Sequence, residues 1–292
     1  MPSIPITAGR FLLELDGQPC GFLRSVEGGT VKGEVVAEPP GTEHYLKKHL
    51  ADVVTEPIVL AFDLSLAPAV YAWIAEAWAG KQSPRSGRIA FMDATLQVQK
   101  ELEFQHALIS SVTFPPLDGA SRDPAYFTVV IRPETAKFQK ASGKSKGAAA
   151  SKSKQWLASN FRVEIDGLDA KTMSKVDAFT VTTEAGDEVG PHREASSAAP
   201  IDFPSLRFTI AEAGAATWQA WHQDFVINGN CSDADEKAGA LVLLDPALKD
   251  LGRVVLGGLG IVRLAPEKAE AGREAVARVV AELYCERMEL AL

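Results

Sequence analysis

RFLLELDGQPCGFLRSVEGGTV, from Arg10 to Val31, returns as NFRVEIDGLDAKTMSKVDAFTV from Asn160 to Val181. The offset is 150 residues without a gap. Phe11, Glu14, Asp16, Gly17, Val26 and Val31 meet Phe161, Glu164, Asp166, Gly167, Val176 and Val181. In each copy an alternating strand runs into an Asp-Gly pair and out into a second strand, the pattern of a β-hairpin. The recurrence makes the chain a duplicated β unit.

Downstream of each hairpin the same order of elements repeats. In the first copy a charged, proline-bearing arm runs from Gly28 to Glu56, where Pro39 and Pro40 argue for an extended loop. A buried strand follows from Ile58 to Leu64. Then Leu66, Val70, Trp73, Ile74, Ala77 and Trp78 recur at helical spacing behind Ser65, a candidate cap. Strand patterns resume at Gly87 and continue to Arg132. In the second copy the arm runs from Thr182 to Asp202, and Leu206 and Phe208 stand in for Leu60 and Phe62. A helix with Thr209 and Glu212 in capping-box positions carries Gly214, Trp218, Trp221 and Phe225 on one stripe. Asp93 and Asp245 close matching strands, and VARVVAELYCERMEL supplies the last one. A tandem pair, rather than a solenoid of three or more repeats, is the simplest account.

Between the copies, residues 135–158 break the alternation. Lys137, Lys140, Lys144, Lys146, Lys152 and Lys154 lie among Ala, Ser and Gly, a composition that reads as a flexible linker. It is either a solvated tether or a basic arm toward an acidic neighbour or a nucleic acid. The expected division is therefore a first domain over 1–134, a linker over 135–158 and a second domain over 159–292.

The 292 residues, 46% of them hydrophobic and 23% charged, suffice for two ordinary domains. A net charge of −8 argues against a general nucleic-acid or anionic-membrane binder. Cys20, Cys231 and Cys285 are odd in number, share no metal-ligand spacing and read as reduced core or surface thiols in a reducing compartment. No apolar stretch approaches a membrane span, and the first residues lack a secretory pattern.

Catalytic and ligand-binding readings fail one by one. His44 and His49 lack further ligands for zinc. His106 and His222 are single histidines on a strand and a helix. Gly257, Gly258 and Gly260 lie inside an apolar strand, with no helix N-terminus to cradle a phosphate. Asp16, Asp166, Asp93 and Asp245 fall at strand ends, where Asp organises turns. The tryptophans at 73, 78, 218 and 221 have core spacing rather than that of a sugar platform. The expectation is a protein that is not an enzyme, with no cofactor and no metal.

The ordered unit, opening on Phe-x-x-Glu-x-Asp-Gly and followed by an arm, an apolar strand, a tryptophan-bearing helix and closing strands, resembles the phage tail tube protein family. That family includes inner tubes of contractile tails and contractile injection systems and shares its fold with the haemolysin-coregulated protein. FRVEIDGLDAKTMSKVDAFTVTTE is similar to the family's opening, and TWQAWHQDF and VYAWIAEAW are similar to its helix. The resemblance covers both halves. It implies a mainly β fold with one helix per domain, two tandem tail-tube-like β-sandwich or barrel domains. It also implies assembly in the cytoplasm into a phage-tail-like particle, as a homotrimer forming a pseudo-hexameric ring that stacks into or caps an inner tube. The alternative is a non-stacking adaptor module of the same fold. Partners would be further copies of the chain and sheath, baseplate or tail-terminator proteins, with no membrane and no specific nucleic acid. The expected inter-ring contacts are Glu38, Pro39, Pro40, His44, Tyr45, Lys47 and Lys48 on the first arm and Glu188, Pro191, His192 and Arg193 on the second. The expected core is Phe11, Phe62, Trp73, Trp78, Phe161, Phe208, Trp218 and Trp221.

Overall fold

Alternating apolar residues become strands along most of the chain. A computed structural model describes residues 9–38, 45–144, 156–183, 201–268 and 276–292. The first half holds β1 (Arg10–Leu15), β2 (Gln18–Leu23), β3 (Ser25–Gly28), β4 (Val31–Glu38), β5 (Lys47–Thr55), β6 (Ile58–Phe62), helix α1 (Pro68–Trp78), β7 (Arg85–Met92), β8 (Gln97–Phe114), β9 (Leu117–Asp118), β10 (Phe127–Arg132) and β11 (Thr135–Lys144). The second holds β12 (Phe161–Ile165), β13 (Met173–Val176), β14 (Phe179–Thr182), β15 (Leu206–Ala211), helix α2 (Ala216–His222), β16 (Lys237–Leu244), β17 (Asp250–Pro266) and β18 (Arg278–Ala291).

The fold is mainly β, and its antiparallel sheets curl into a half-barrel. One sheet follows the path β1-β7-β8-β10-β6-β3, and the other follows β12-β16-β17-β18-β15-β13. The two paths are the same when elements are matched in chain order, with β18 standing for β10 and β11 together. Registers agree as well. Ile89 lies between Leu13 and Leu102, and Leu241 lies between Val163 and Val254. The long central strands bulge at matching places: the register with the next strand slips at Ser110 in β8 and at Val262 in β17. A bulge is a specific structural device, so its recurrence at the same position carries more weight than shared strand count. Gly87 and Gly239 match too, since a Cβ at either would strike the carbonyl oxygen of Glu14 or Glu164, at 2.2 and 2.4 Å.

Several local expectations are corrected. Only the first copy forms the full hairpin, over Asp16 and Gly17 in left-handed conformations; after Asp166 and Gly167 no strand matches β2 among the described residues. There the backbone turns to serve the helix: Trp218 donates its indole N–H to the Asp169 carbonyl at 2.9 Å, and the Asp169 N–H meets Thr217 Oγ1 at 3.0 Å. The registers place Phe208 opposite Val176 and Leu60 opposite Val26, so Phe208 is the partner of Leu60 rather than of Phe62.

Neither predicted cap forms. α1 begins after Ala67 with Pro68 in its first turn, and the Tyr71 hydroxyl, between the Asp63 carbonyl and the Leu66 N–H, ties down its approach instead. Thr209 is buried inside β15. Nor does the second half repeat a single helix: a 3₁₀ turn at Glu212–Gly214, α2 and a π turn at Gln223–Ile227 share the role of α1.

The expected linker also starts differently. Thr135–Lys144 forms β11 and pairs with β8 from Gln105 down to Gln97. Ala136 is buried, and Phe138 tilts against Phe91 while the Lys100 ammonium lies over both rings at 4.9 and 4.5 Å. Lysine-rich composition hid a strand whose alternate residues face an existing sheet. At the other end Trp156 is buried. Residues 145–155 lie outside the described ones.

One apolar cluster joins both halves. It contains Phe62, Trp73, Trp78, Phe208, Trp218 and Trp221, with Phe11 and Phe161 packed half-buried at its margin.

Candidate assembly surfaces

The first arm is a paired ribbon, not the extended loop its prolines suggested. β4 and β5 pair from Val31 opposite Thr55 out to Glu38 opposite Lys47, and with no other described strand. The described ladder reaches Glu38, and Pro39 and Pro40 lie outside the described residues. Val31, Gly33 and Val35 share one face by strand alternation, and Leu50 crosses Gly33 on that face. Val31, Val35, Leu50 and Val53 are 59, 63, 67 and 62% exposed. A two-stranded ribbon is marginal alone, and its exposed apolar face makes it a candidate interaction surface.

Of the predicted arm residues, Glu38, Tyr45, Lys47 and Lys48 lie exposed along this ribbon, Glu38 bonding His49 Nε2 at 2.8 Å. Pro39, Pro40 and His44 fall outside the described residues. So do Glu188, Pro191, His192 and Arg193 of the second arm.

A second surface is already occupied, by the chain itself. β14, from the second half, pairs antiparallel with the end of β8, from the first: Phe179 faces Phe114, Thr180 faces Thr113, Val181 faces Val112 and Thr182 faces Ser111. The Thr113 and Thr180 hydroxyls meet at 2.9 Å. One residue further on, the Thr183 N–H donates to the Ser110 carbonyl at 2.9 Å, and its hydroxyl donates to the Ile109 carbonyl. The bulge at Ser110 therefore aims a carbonyl at the incoming strand.

Aromatic rings seal this joint. Phe114 stacks on Phe179, and Phe127 on Trp156 with centroids 5.6 Å apart. β9 adds a two-residue pairing with β13, in which Lys175 reaches Asp118 at 3.3 Å. α1 also leans on β18 of the other half, and Trp78 meets Phe203 edge-on. Sequence reading missed the joint. Its signal was Trp156, an aromatic residue inside a stretch otherwise read as solvated.

The polar groups weighed as catalytic serve local structure. Asp93 Oδ1 accepts from the Thr95 hydroxyl and N–H and from the Gln97 N–H, at 2.7, 2.8 and 3.0 Å, and these bonds, that of the Thr95 hydroxyl foremost, hold its carboxyl below the usual carboxylate range. Asp245 accepts from the Ala247 and Lys249 N–H groups in the same way. Asp16 bonds Arg85, and Glu14 and Glu101 both hold Arg88. His106 lies exposed beside Glu134 at 2.8 Å, and His222 ends α2. Gly260 lets the Tyr284 ring cross β17.

No protein-family model matches the chain, and no curated protein matches it. Among solved structures it is similar to a chain of the sheath-tube complex of an extracellular contractile injection system, PVC, in the extended state: 17% identity over 48% of this chain and 95% of that one, TM-score 0.41. The tube-terminating cap of the anti-feeding prophage gives 19% identity over 48% and 95%, with TM-score 0.41. Hcp1 from Flavobacterium johnsoniae gives 14% over 47% and 100%, with TM-score 0.31.

Proposed function

We propose that this protein is a structural subunit of a phage-tail-like particle: two tail-tube-like units fused in one chain, of which three chains close a ring of six units. The first unit would extend through β11, and the second would begin near Ser159. The observation that carries this reading is the joint at β8 and β14. Two units with one strand path already meet there by edge pairing, and repeating that contact from chain to chain generates a ring if the rotation closes. The resemblance of the repeated Phe-x-x-Glu-x-Asp-Gly opening to tail tube proteins points the same way. The ribbon β4–β5, with Tyr45, Lys47 and Lys48 near its tip, would contact the next ring or a sheath or baseplate neighbour.

Negative-stain electron microscopy over a concentration series tests the proposal. Rings of threefold, pseudo-sixfold symmetry are expected, stacked for a tube component or single for a cap. Particles that remain single chains at every concentration would overturn it.

A further inference from the structure

The fused joint has a counterpart that is open. Matching the two units along their sheets carries β14 onto the start of β4, and the end of β8 onto the end of β17, so that Val181 corresponds to Val31 and Val112 to Leu264. Val181 and Val112 are both fully buried, at 0% exposure. Val31 is 59% exposed, and Leu264 is only half-buried. The difference lies in cover, since the first pair face each other within the chain, whereas Val31 pairs only with Thr55 of β5 and Leu264 only with Ala281 of β18, and no described strand lies on the other edge of either. β16 leaves β17 at Leu259, and no described strand takes its place beside Ile261–Pro266.

Resting on the proposed ring, we infer that residues 29–33 of one chain add to the free edge of β17 in a second copy, in the register that β14 keeps with β8. Val31 then faces Leu264, Thr30 faces Ala265, Lys32 faces Arg263, and the Gly33 N–H meets the carbonyl of the bulge residue Val262. The occupant is a second copy because the chain already displays both halves of the contact. Within each half, β4 has the same place in chain order as β14, and β17 carries the same bulge as β8.

Backbone polarity agrees. The Thr30 carbonyl accepts from the Glu56 N–H on the β5 side, so alternation turns the polar groups of Val31 and Gly33 to the opposite, open edge. Side-chain rows agree too: Val31 would extend the row of Leu264 and Ala281, the latter fully buried. Lys32 and Arg263 are like charges placed opposite each other, a cost to this register that Glu282, opposite Arg263 on β18, partly offsets.

The two kinds of joint differ in strength. Phe114, Phe127 and Phe179 correspond to Pro266, Val279 and Gly29, so the joint between chains lacks the aromatic seal of the joint within one. Assembly is then concentration-dependent, with the chain as its stable unit.

Disulfide trapping tests the register. Thr30→Cys and Ala265→Cys are introduced together in a Cys231→Ser background, which leaves only the buried native thiols of Cys20 and Cys285. Thr30 and Ala265 correspond to Thr180 and Thr113, a directly opposed pair whose Cβ separation suits a disulfide. Mild oxidation of the assembled full-length protein should give linked dimers and trimers, roughly tenfold above the control pair Thr30→Cys with Arg263→Cys, which is two residues out of register. Rings visible by microscopy with no link at the first pair, or with a link at the shifted pair, overturn the register while leaving the ring intact. A chain that never associates overturns both the register and the ring.

Discussion

The rings of Phe114 and Phe179 lie nearly parallel, 6° apart in orientation with centroids at 4.9 Å, although one belongs to each half of the chain. Phe127 meets Phe114 edge-on, and Trp156 stacks on Phe127, so the aromatic layer runs through the boundary without a gap. Two halves of a chain that share such a core cannot expose their joint separately. A single cooperative transition is expected, with tryptophan fluorescence and circular dichroism coinciding in urea. Trp156→Ala should lower the stability of the whole chain by about 3–5 kcal/mol, because the cavity it leaves opens into both halves. Two resolved transitions in the unaltered protein would show that the halves fold independently.

Leu96 and Leu248 adopt the same left-handed backbone, φ +62° and +60°, in the turns that Asp93 and Asp245 organise. A side chain there costs roughly 1–2 kcal/mol, and glycine returns part of that gain as unfolded-state entropy, about 0.4–1 kcal/mol. Leu248 is exposed and loses nothing in packing. Leu248→Gly should therefore raise stability by about 0.5–1 kcal/mol, read as an increase in Tm. Leu96→Gly should gain less, because Leu96 packs against the small cluster of Leu12, Ala90, Met92 and Val98. A loss of stability in Leu248→Gly would mean that the left-handed turn does not strain its leucine.

Acid should loosen the same turn. The Asp93 carboxyl is depressed by its hydrogen bonds to Thr95 and Gln97, so its contribution is present above the unfolded carboxylate value of 3.8 and is lost as pH falls through the lower folded value. Asp93→Asn should flatten the acid limb of the stability curve measured by urea unfolding. An unchanged limb would remove Asp93 from the acid response.

Much of this architecture was legible because periodicity and repetition are local. Phe62, Trp73 and Trp218 entered the core through spacing alone, and the offset between Asp16 and Asp166 pointed to the strand path that both halves follow. The start of α1 was misjudged because a side chain inside the helix, the Tyr71 hydroxyl, reaches back to Asp63 and Leu66 and takes the role expected of a Ser65 cap. β11 was hidden because Lys137 and Lys140 dominate its composition, while its apolar contacts, Phe138 with Phe91 and Ala136 beneath the sheet, depend on a neighbour more than thirty residues away. The joint was invisible for the same reason. Nothing near Thr180 in sequence announces Thr113, and only folding brings the two hydroxyls together.

The ribbon offers the sharpest separation of folding from assembly. Val35 and Val53 lie on its apolar face, opposite Leu50 and Gly33, 63 and 62% exposed and outside the main core. Exchanging an exposed residue away from the core usually changes stability by less than about 0.5 kcal/mol. Val35→Glu and Val53→Lys should therefore leave urea unfolding and the near-ultraviolet spectrum unchanged. If the face is buried in the particle, each substitution places a charge in an apolar contact, and self-association should shift to at least about tenfold higher concentration, the equivalent of 1.4 kcal/mol, in sedimentation velocity. Unaltered association in both variants would mean that the ribbon projects into solvent even when copies assemble. Its valines would then be left without any burial to explain them, and the joint at the base of β4 would have to hold the ring alone.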